Sequence, residues 1–550
     1  MADETTSLRD EESMRFFHVI CHRDPNTRRQ GLDVIQKTFD AWLDGYGSPP
    51  DSSGNPSVLN GLNTGPLVAE YLPELLRLSI QCPFDDVVEK CVTLLEDIRE
   101  RGRGIKTPHP LGHGPSHFIP QNEIVPVNSS DEQVQMVFVD AFLQNNRLEN
   151  VTQVMGYHPG YLDCFLKTQH YLLYEDGPLT YEFRHYIAMM AAGRHQCSYL
   201  MKLHMQEFLL QGGDPAWLQG LNFIPKKLRD LYEVNKILAH RPWLITKEHI
   251  ERLTRGNNNW SIGEVVHALI LLAHFHSLSS FVFGCGINHE LDHEGGYTYR
   301  PPSVGEANAN EADYSSDSSN GDSAVDSEGG LETLMLKMRE LTEAEEEETT
   351  QEELLKRFEK VEIQSAEIVT SSKVPSPKSD ILKFVDDAKF AYEDFAKRGS
   401  VTDIPTFRAQ DYSWEDHGFS LANRLYSDIG NILDEKFNVA YNLTYYTMGD
   451  NTAVDTSSFR RAIWNYIHCM YGIRHDDYNY GEVNQLLERN LKAYIKTVTC
   501  YPERLTKKDY DGVMREFKHS EKVHVNLMLF EARLQAELLY GLRAVMRYMT

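Results

Sequence analysis

The chain has 550 residues, a formal net charge of -26 and eight cysteines. That length exceeds what one hydrophobic core usually spans, so two or three domains are expected, and the negative charge argues against nucleic acid as a partner. The cysteines include no C-x-x-C pair and no zinc spacing, which favours free thiols in a reducing, cytoplasmic compartment.

In chain order, the first residues, Met-Ala-Asp-Glu-Thr-Thr, are acidic where a leader would be basic and then apolar, so no leader is expected. Residues 12–43 and 67–100 carry apolar positions every three or four residues, and Pro/Gly-rich breaks follow each. Residues 1–110 therefore read as a helical extension. Helical patterns resume from 130 to 287. Ser261-Ile-Gly-Glu264 has the form of a capping box and should start a helix. The stretch that follows, 265–287, is long enough to span a membrane, but His267, His274, His276, Ser277, Ser279 and Ser280 interrupt it, so a buried core helix is expected and no membrane span. Cys285, His289, Asp292 and His293 share a glycine-bounded loop whose spacing does not suit zinc, and no metal is expected.

Residues 305–330 are almost entirely Ser, Asp, Glu, Asn, Gly and Ala, too little apolar surface to offset the entropy of ordering. Residues 304–379 accordingly read as a disordered acidic linker with room for one docking helix near Leu334–Leu341. From 380 to 550 the chain is globular again, and its last helix, near 520–548, repeats apolar residues from Val523 to Val545 at steps of three and four. No stretch sustains strand alternation, so the fold class is all-α. Arg184-x-x-Ile187 and Arg460-x-x-Ile463 each open a helix rich in aromatic and small residues, either an internal duplication or a chance likeness between amphipathic helices.

One run concentrates chemistry. Cys197 and His204 lie seven positions apart, close to two helical turns, which sets thiol and imidazole on one face where His could lower the thiol pKa. The alternative is an Ala- and Met-rich core helix with an inert cysteine and a hydrogen-bonded histidine.

Cys197-Ser-Tyr199-Leu-Met-Lys-Leu-His204 resembles the C-x-x-C-x-x-x-H helix of the AhpD-like and carboxymuconolactone decarboxylase superfamily. Five longer strings, at 165–173, 240–249, 283–286, 461–469 and 519–527, look like the sestrin family. The resemblance implies two AhpD-like helical domains, 111–303 and 380–550, joined by the acidic linker. It also implies a stress-induced regulator of cytoplasm and nucleus that binds the GATOR complex and suppresses TOR signalling.

For redox chemistry the resemblance implies Cys197 as nucleophile, Tyr199 as proton donor and His204 as base of an alkyl hydroperoxide reductase. Leu200 stands where the second thiol of the AhpD-like pair would be, and His185 where its relay Glu would be. Such an enzyme would need no bound cofactor and an external thiol reductant. For ligand sensing the resemblance assigns Arg460 to an amino-acid carboxylate and Glu521 to its ammonium, with Thr444, Tyr445, Thr447 and Thr456 as lid and rim. Phe459 and Met514 replace a Leu and a Trp of the leucine-binding pattern, so leucine or a similar apolar amino acid is expected. The residues alone also allow Arg460 as a surface side chain and Glu521 as a first-turn acid. For partner binding it implies Asp476, Asp477 and Tyr478, an exposed Tyr flanked by acids, with Ser261 contributing; a solvated helix N-terminus is the alternative.

Overall fold

The computed structural model describes residues 16–47, 65–102, 104–112, 114–256, 259–300, 330–343, 349–370, 379–400, 404–443 and 447–550. The stretch 305–329, read as disordered, lies outside the described residues. The chain divides into two compact units, one of residues 1–156 with 288–327, the other of residues 157–287 with 328–550.

In the first unit, helices α1 (Pro25–Gly47), α2 (Gly65–Gln81) and α3 (Asp85–Arg101) pack on one another, and α4 (Glu132–Asn145) follows with Asp131 capping its first turn. A short antiparallel pair joins β1 (His109–Pro110) to β2 (Tyr297–Thr298). Asp292, a residue of the loop weighed above for zinc, is held by Arg77 at 2.8 Å and Arg147 at 2.7 Å. Burial alone would raise its pKa, but the two guanidiniums hold the carboxyl well below its usual range. Among the described residues no group of three or more His, Cys, Asp and Glu side chains could hold a metal ion.

The second unit contains two helical runs. The first comprises α5 (Pro159–Leu173), α6 (Tyr181–Arg194), α7 (Ser198–Leu210), α8 (Tyr232–His240), α9 (Lys247–Thr254) and α10 (Ile262–Gly284). The second comprises α11 (Leu331–Glu343), α12 (Gln351–Glu367), α13 (Ile429–Asn442), α14 (Ser457–Met470), α15 (Gly481–Leu486), α16 (Arg489–Cys500), α17 (Lys507–Gly512) and α18 (His519–Met549). Short strands β3 (Thr447–Met448) and β4 (Asn451–Thr452) form a hairpin before α14. The class is all-α.

The capping box expected at Ser261 is formed: its hydroxyl accepts from the Glu264 N–H and the Glu264 carboxylate accepts from the Ser261 N–H. The helix it starts, α10, is long and apolar enough to cross a membrane by composition, yet its apolar stretch is buried, in large part against α18. That contact encloses polar chemistry. Arg533, fully buried, donates to Glu537, Ser280, His195 and the carbonyls of Thr499 and Ala239, while His276 bridges Glu537 and Asn235. Each charge is thereby paired, the condition on which buried ions are tolerated.

The internal echo is structural. Thr180 and Thr456 both precede a helix, Phe183 and Phe459 fall three positions on, and Arg184 and Arg460 each donate a backbone N–H to that threonine's carbonyl. Both helices end on a positive φ, Gln196 at 54° and Gly472 at 73°. A second echo follows: Arg241-Pro-Trp-Leu-Ile-Thr-Lys and Tyr501-Pro-Glu-Arg-Leu-Thr-Lys each link a helix through one 3-10 turn to the next. Their backbones agree, with φ, ψ of -143°, 63° at Arg241 and -142°, 51° at Tyr501. The Ser261–Glu264 box has its counterpart in Lys518 and Glu521, whose carboxylate accepts from the Lys518 N–H.

The linker read at 304–379 holds two described helices, α11 and α12, which pack on α14 and α15. Leu331, Met338, Phe358 and Val361 supply the buried stripe that the acidic composition concealed.

Candidate functional site

Cys197 does not lie within α7 but at its N-cap, with φ, ψ of -78°, 83°. Its thiol is about 1% exposed, and burial pushes its pKa up to about 12 against hydrogen bonds from the Leu200 N–H and the Ser279 hydroxyl. At neutral pH the sulfur is therefore held as the thiol, not the thiolate. His204 is engaged elsewhere: its Nδ1 lies 3.1 Å from Nδ1 of His185, and its ring packs on Phe275 at 4.5 Å. Burial brings its pKa down to about 3, so the ring is neutral. A neutral imidazole carries no charge with which to lower the thiol pKa, and burial is what dominates at Cys197. Tyr199 is buried beside it, as is Leu200.

The second constellation converges. A small cavity is lined by Thr447, Thr456, Phe459, Arg460 and Glu521 together with Met448, Phe517, His524, Val525 and Met528. Arg460 donates Nε to the Thr456 hydroxyl at 3.1 Å and Nη1 to the Tyr441 carbonyl. Glu521 is 5% exposed and accepts the Gly449 N–H at 3.0 Å on both oxygens and the Lys518 N–H at 2.9 Å. No described cation lies within ion-pair distance of it. A carboxylate so placed is satisfied by backbone dipoles alone, and its negative charge is directed to the cavity that Arg460 shares. The space is about 20 Å³, room for about one water. Entry of an amino acid therefore requires the β3–β4 hairpin or its neighbours to move.

Met514 is not among the lining residues. It sits at φ 48° in the turn before α18, where its carbonyl accepts from the Phe517 N–H, and Phe517 takes the apolar wall, 6.0 Å from the Phe459 ring. Thr444 and Tyr445 lie outside the described residues. Sequence reasoning missed Met448, Phe517, Val525 and Met528; the last two lie four and seven positions after Glu521 on α18, a spacing that puts all three on one face.

The Asp476–Tyr478 run differs from the exposed patch read in sequence. Asp476 is buried and bonded by Arg408 at 2.7 Å and by Arg474. Tyr478 is 6% exposed, edge-on to Tyr480 at 4.9 Å. Asp477 alone of the three is exposed. The reason is local: Tyr471 and Tyr480 are fully buried, so the intervening chain is drawn onto α14. Asp477 and Tyr478 nonetheless line an open cleft of about 1120 Å³ between the α11–α12 pair and α14–α15. Ser261 is exposed at the start of α10, bonded to Glu264.

Comparison with known proteins bears on this geometry. A family model described as PA26 p53-induced protein (sestrin) matches residues 114–549. The chain is 53% identical to Sestrin-1 of Xenopus laevis over 483 residues, 86% of this chain and 100% of that protein. It is 53% identical to Sestrin-3 of Mus musculus over 82% of this chain and 96% of that one. It is likewise 53% identical to Sestrin-2 of Homo sapiens over 80% of this chain and 91% of that one. The strings that suggested the family thus sit within a likeness covering most of the chain, and the chain belongs to the sestrin family.

Proposed function

We propose that this chain is a stress-responsive regulator that takes up a free apolar amino acid, leucine or one of similar shape, between Arg460 and Glu521. In this reading its Asp476–Tyr478 run, with Ser261, binds the GATOR complex and so restrains TOR signalling, and the amino acid releases that partner. The observation that carries the reading is the buried Glu521 carboxylate, without a cationic partner among the described residues, in one cavity with Arg460. A zwitterion complements that carboxylate: its ammonium meets Glu521, and its carboxylate meets the Arg460 fork. Met448, Phe459, Phe517, Val525 and Met528 suit an aliphatic side chain, and their flexibility sets how far one aliphatic is told from another.

Calorimetric titration of the full chain against a panel of free amino acids tests the ligand. Heat with leucine, isoleucine or methionine is expected, and no heat with any amino acid removes the reading. Capture of the GATOR complex by wild type and by Asp477→Ala, with and without leucine, tests the partner. Asp477 is the choice because it is exposed, whereas Asp476→Ala would also strand Arg408 and Arg474. A thiol peroxidase stands second. A raised thiol pKa and a buried sulfur weigh against fast turnover, and alkyl hydroperoxide consumption that vanishes in Cys197→Ser would restore it.

A further inference from the structure

The helix pair α11–α12 touches both sites. At its N-terminal end, the Leu331 N–H donates to the Glu516 carboxylate at 3.1 Å, and the Leu331 side chain lies on Gly449. The fit there is close: a Cβ on Gly449 would stand 2.7 Å from the Leu331 Cδ2 and 2.7 Å from the Glu516 carbonyl, at a φ of 64°. Gly449 is also the residue whose N–H holds Glu521. The first turn of α11 therefore rests on the hairpin that closes the amino-acid cavity.

At the other end α12 grips the partner run. Gln351 Nε2 donates to the Asp476 carbonyl at 3.3 Å, Arg357 donates to Asn479 Oδ1 at 2.8 Å, and Phe358 packs edge-on to Tyr480 at 4.9 Å. Tyr480 in turn accepts the His475 N–H. Leu341 of α11 and Leu354 of α12 line the same cleft as Asp477 and Tyr478.

We propose that α11–α12 is the element through which occupancy of the Arg460–Glu521 cavity reaches the Asp476–Asn479 run. The inference rests on the ligand and partner reading above and names the regulation of those sites. With room for about one water, the cavity admits an amino acid only if its walls part. Displacement of Gly449 cannot leave Leu331 in place, because no free space separates them. A shift of α11–α12 then alters the three α12 contacts that fix the backbone and ring positions of the run. The rival conduit is α14, which carries Thr456, Phe459 and Arg460 near one end and His468 near the other, with His468 Nδ1 3.0 Å from His475 Nε2. That helix is buried along nearly its whole length and has little freedom to take a second arrangement.

The test separates the two conduits. In the full chain, Leu331→Ala loosens the cavity end, and Gln351→Ala with Arg357→Ala loosens the run end on side chains that are not core. For each, leucine affinity is measured by calorimetry, and capture of the GATOR complex is measured with and without leucine. Couplings of this kind are typically about 5- to 150-fold. The expected result is that the ratio of capture without to capture with leucine falls to below about 2-fold in both variants. Leucine affinity alone and capture alone should each stay within about 3-fold of wild type. A ratio unchanged from wild type in both variants assigns the coupling to α14 and overturns the proposal. Loss of leucine-free capture in the run-end variant makes α12 part of the partner surface and overturns it too. A wild type that binds no leucine, or captures no partner, fails earlier and takes down the underlying reading along with this one.

Discussion

The two runs of the second unit carry the same Thr-x-x-Phe-Arg opening and the same first-turn acid, yet they dispose of those charges in opposite ways. In the first run the Arg184 guanidinium, about 1% exposed, is given to the backbone carbonyls of Leu179 and Glu175 at 2.9 and 2.6 Å, with Leu172 at 3.4 Å. Glu264 is paired with Lys227 at 2.7 Å. In the second run Glu521 has only backbone N–H donors, and Arg460 lines the same cavity. A helix-capping acid and a buried arginine are thus structural where neighbours complete them. In the second run Arg460 is bonded to the Thr456 hydroxyl and the Tyr441 carbonyl, and the difference between the runs lies at the acid: Glu264 has a lysine, Glu521 only backbone donors.

The largest test of that contrast is Arg184→Ala against Arg460→Ala. Removing Arg184 strands buried carbonyls and should lower unfolding stability by about 3–4 kcal/mol, while Arg460→Ala should cost about 1 kcal/mol. Denaturant unfolding measures both; equal losses would break the contrast. Leucine binding should vanish in Arg460→Ala. Next in size, Glu521→Gln should weaken leucine by about 100-fold, about 2.7 kcal/mol, with little change in melting temperature, because a neutral amide cannot pair an ammonium. An unchanged affinity in calorimetry would place the ligand elsewhere.

Much of this fold was legible before any coordinates. The Ser261–Glu264 box, the final helix and the Arg184/Arg460 echo each rest on local chemistry that sequence carries directly. The second echo, at Arg241 and Tyr501, was present in the sequence and overlooked, since a Pro-Trp-Leu and a Pro-Glu-Arg look unlike until their backbones are compared. Other features depend on partners far along the chain. Asp476 reads as exposed until Arg408, 68 positions earlier, is seen to hold it. Met514 and Phe517 are separated by one turn, and only packing decides which faces the cavity. The two helices of the acidic region were obscured because composition averages over a buried stripe. Residue spacing also suggested a Cys197–His204 pair, but it could not show that Cys197 takes the N-cap position or that His204 meets His185.

A pH series gives an effect of intermediate size. His204 and His267 in the first run and His524 in the second are each brought down by burial to about 3 from 6.5. A histidine whose folded pKa is lowered binds its proton more readily when unfolded. Below about pH 6.5 the unfolded state therefore takes up more protons and stability falls with pH until the folded pKa is reached. At pH 5 each such group costs about 2 kcal/mol. Urea midpoints should drop between pH 7 and 5, and His204→Gln should flatten that slope. A slope unchanged by that substitution would mean that His204 is not held neutral, against the first-run burial on which the contrast rests.

The smallest effect comes from Glu264→Gln, the first-run counterpart of Glu521→Gln. Burial alone would raise the Glu264 pKa, but Lys227 and the Ser261 hydrogen bonds lower it on balance. Its contribution is therefore present above the unfolded carboxyl range and lost as pH falls through the folded value. Both side chains of the pair keep some exposure, 15% for Lys227 and 20% for Glu264, so solvent screens it. An amide still accepts from Ser261, and the net cost should be about 1 kcal/mol or less. Leucine binding should not change, since this acid already has its cation. Nor should Lys227→Ala, which exposes the Glu264 charge, create a second amino-acid site, because Arg184 remains committed to carbonyls. One binding event per chain in Lys227→Ala, as in wild type, is the result that keeps the two runs distinct. A second event would show that the first run lost its ligand through Lys227 alone.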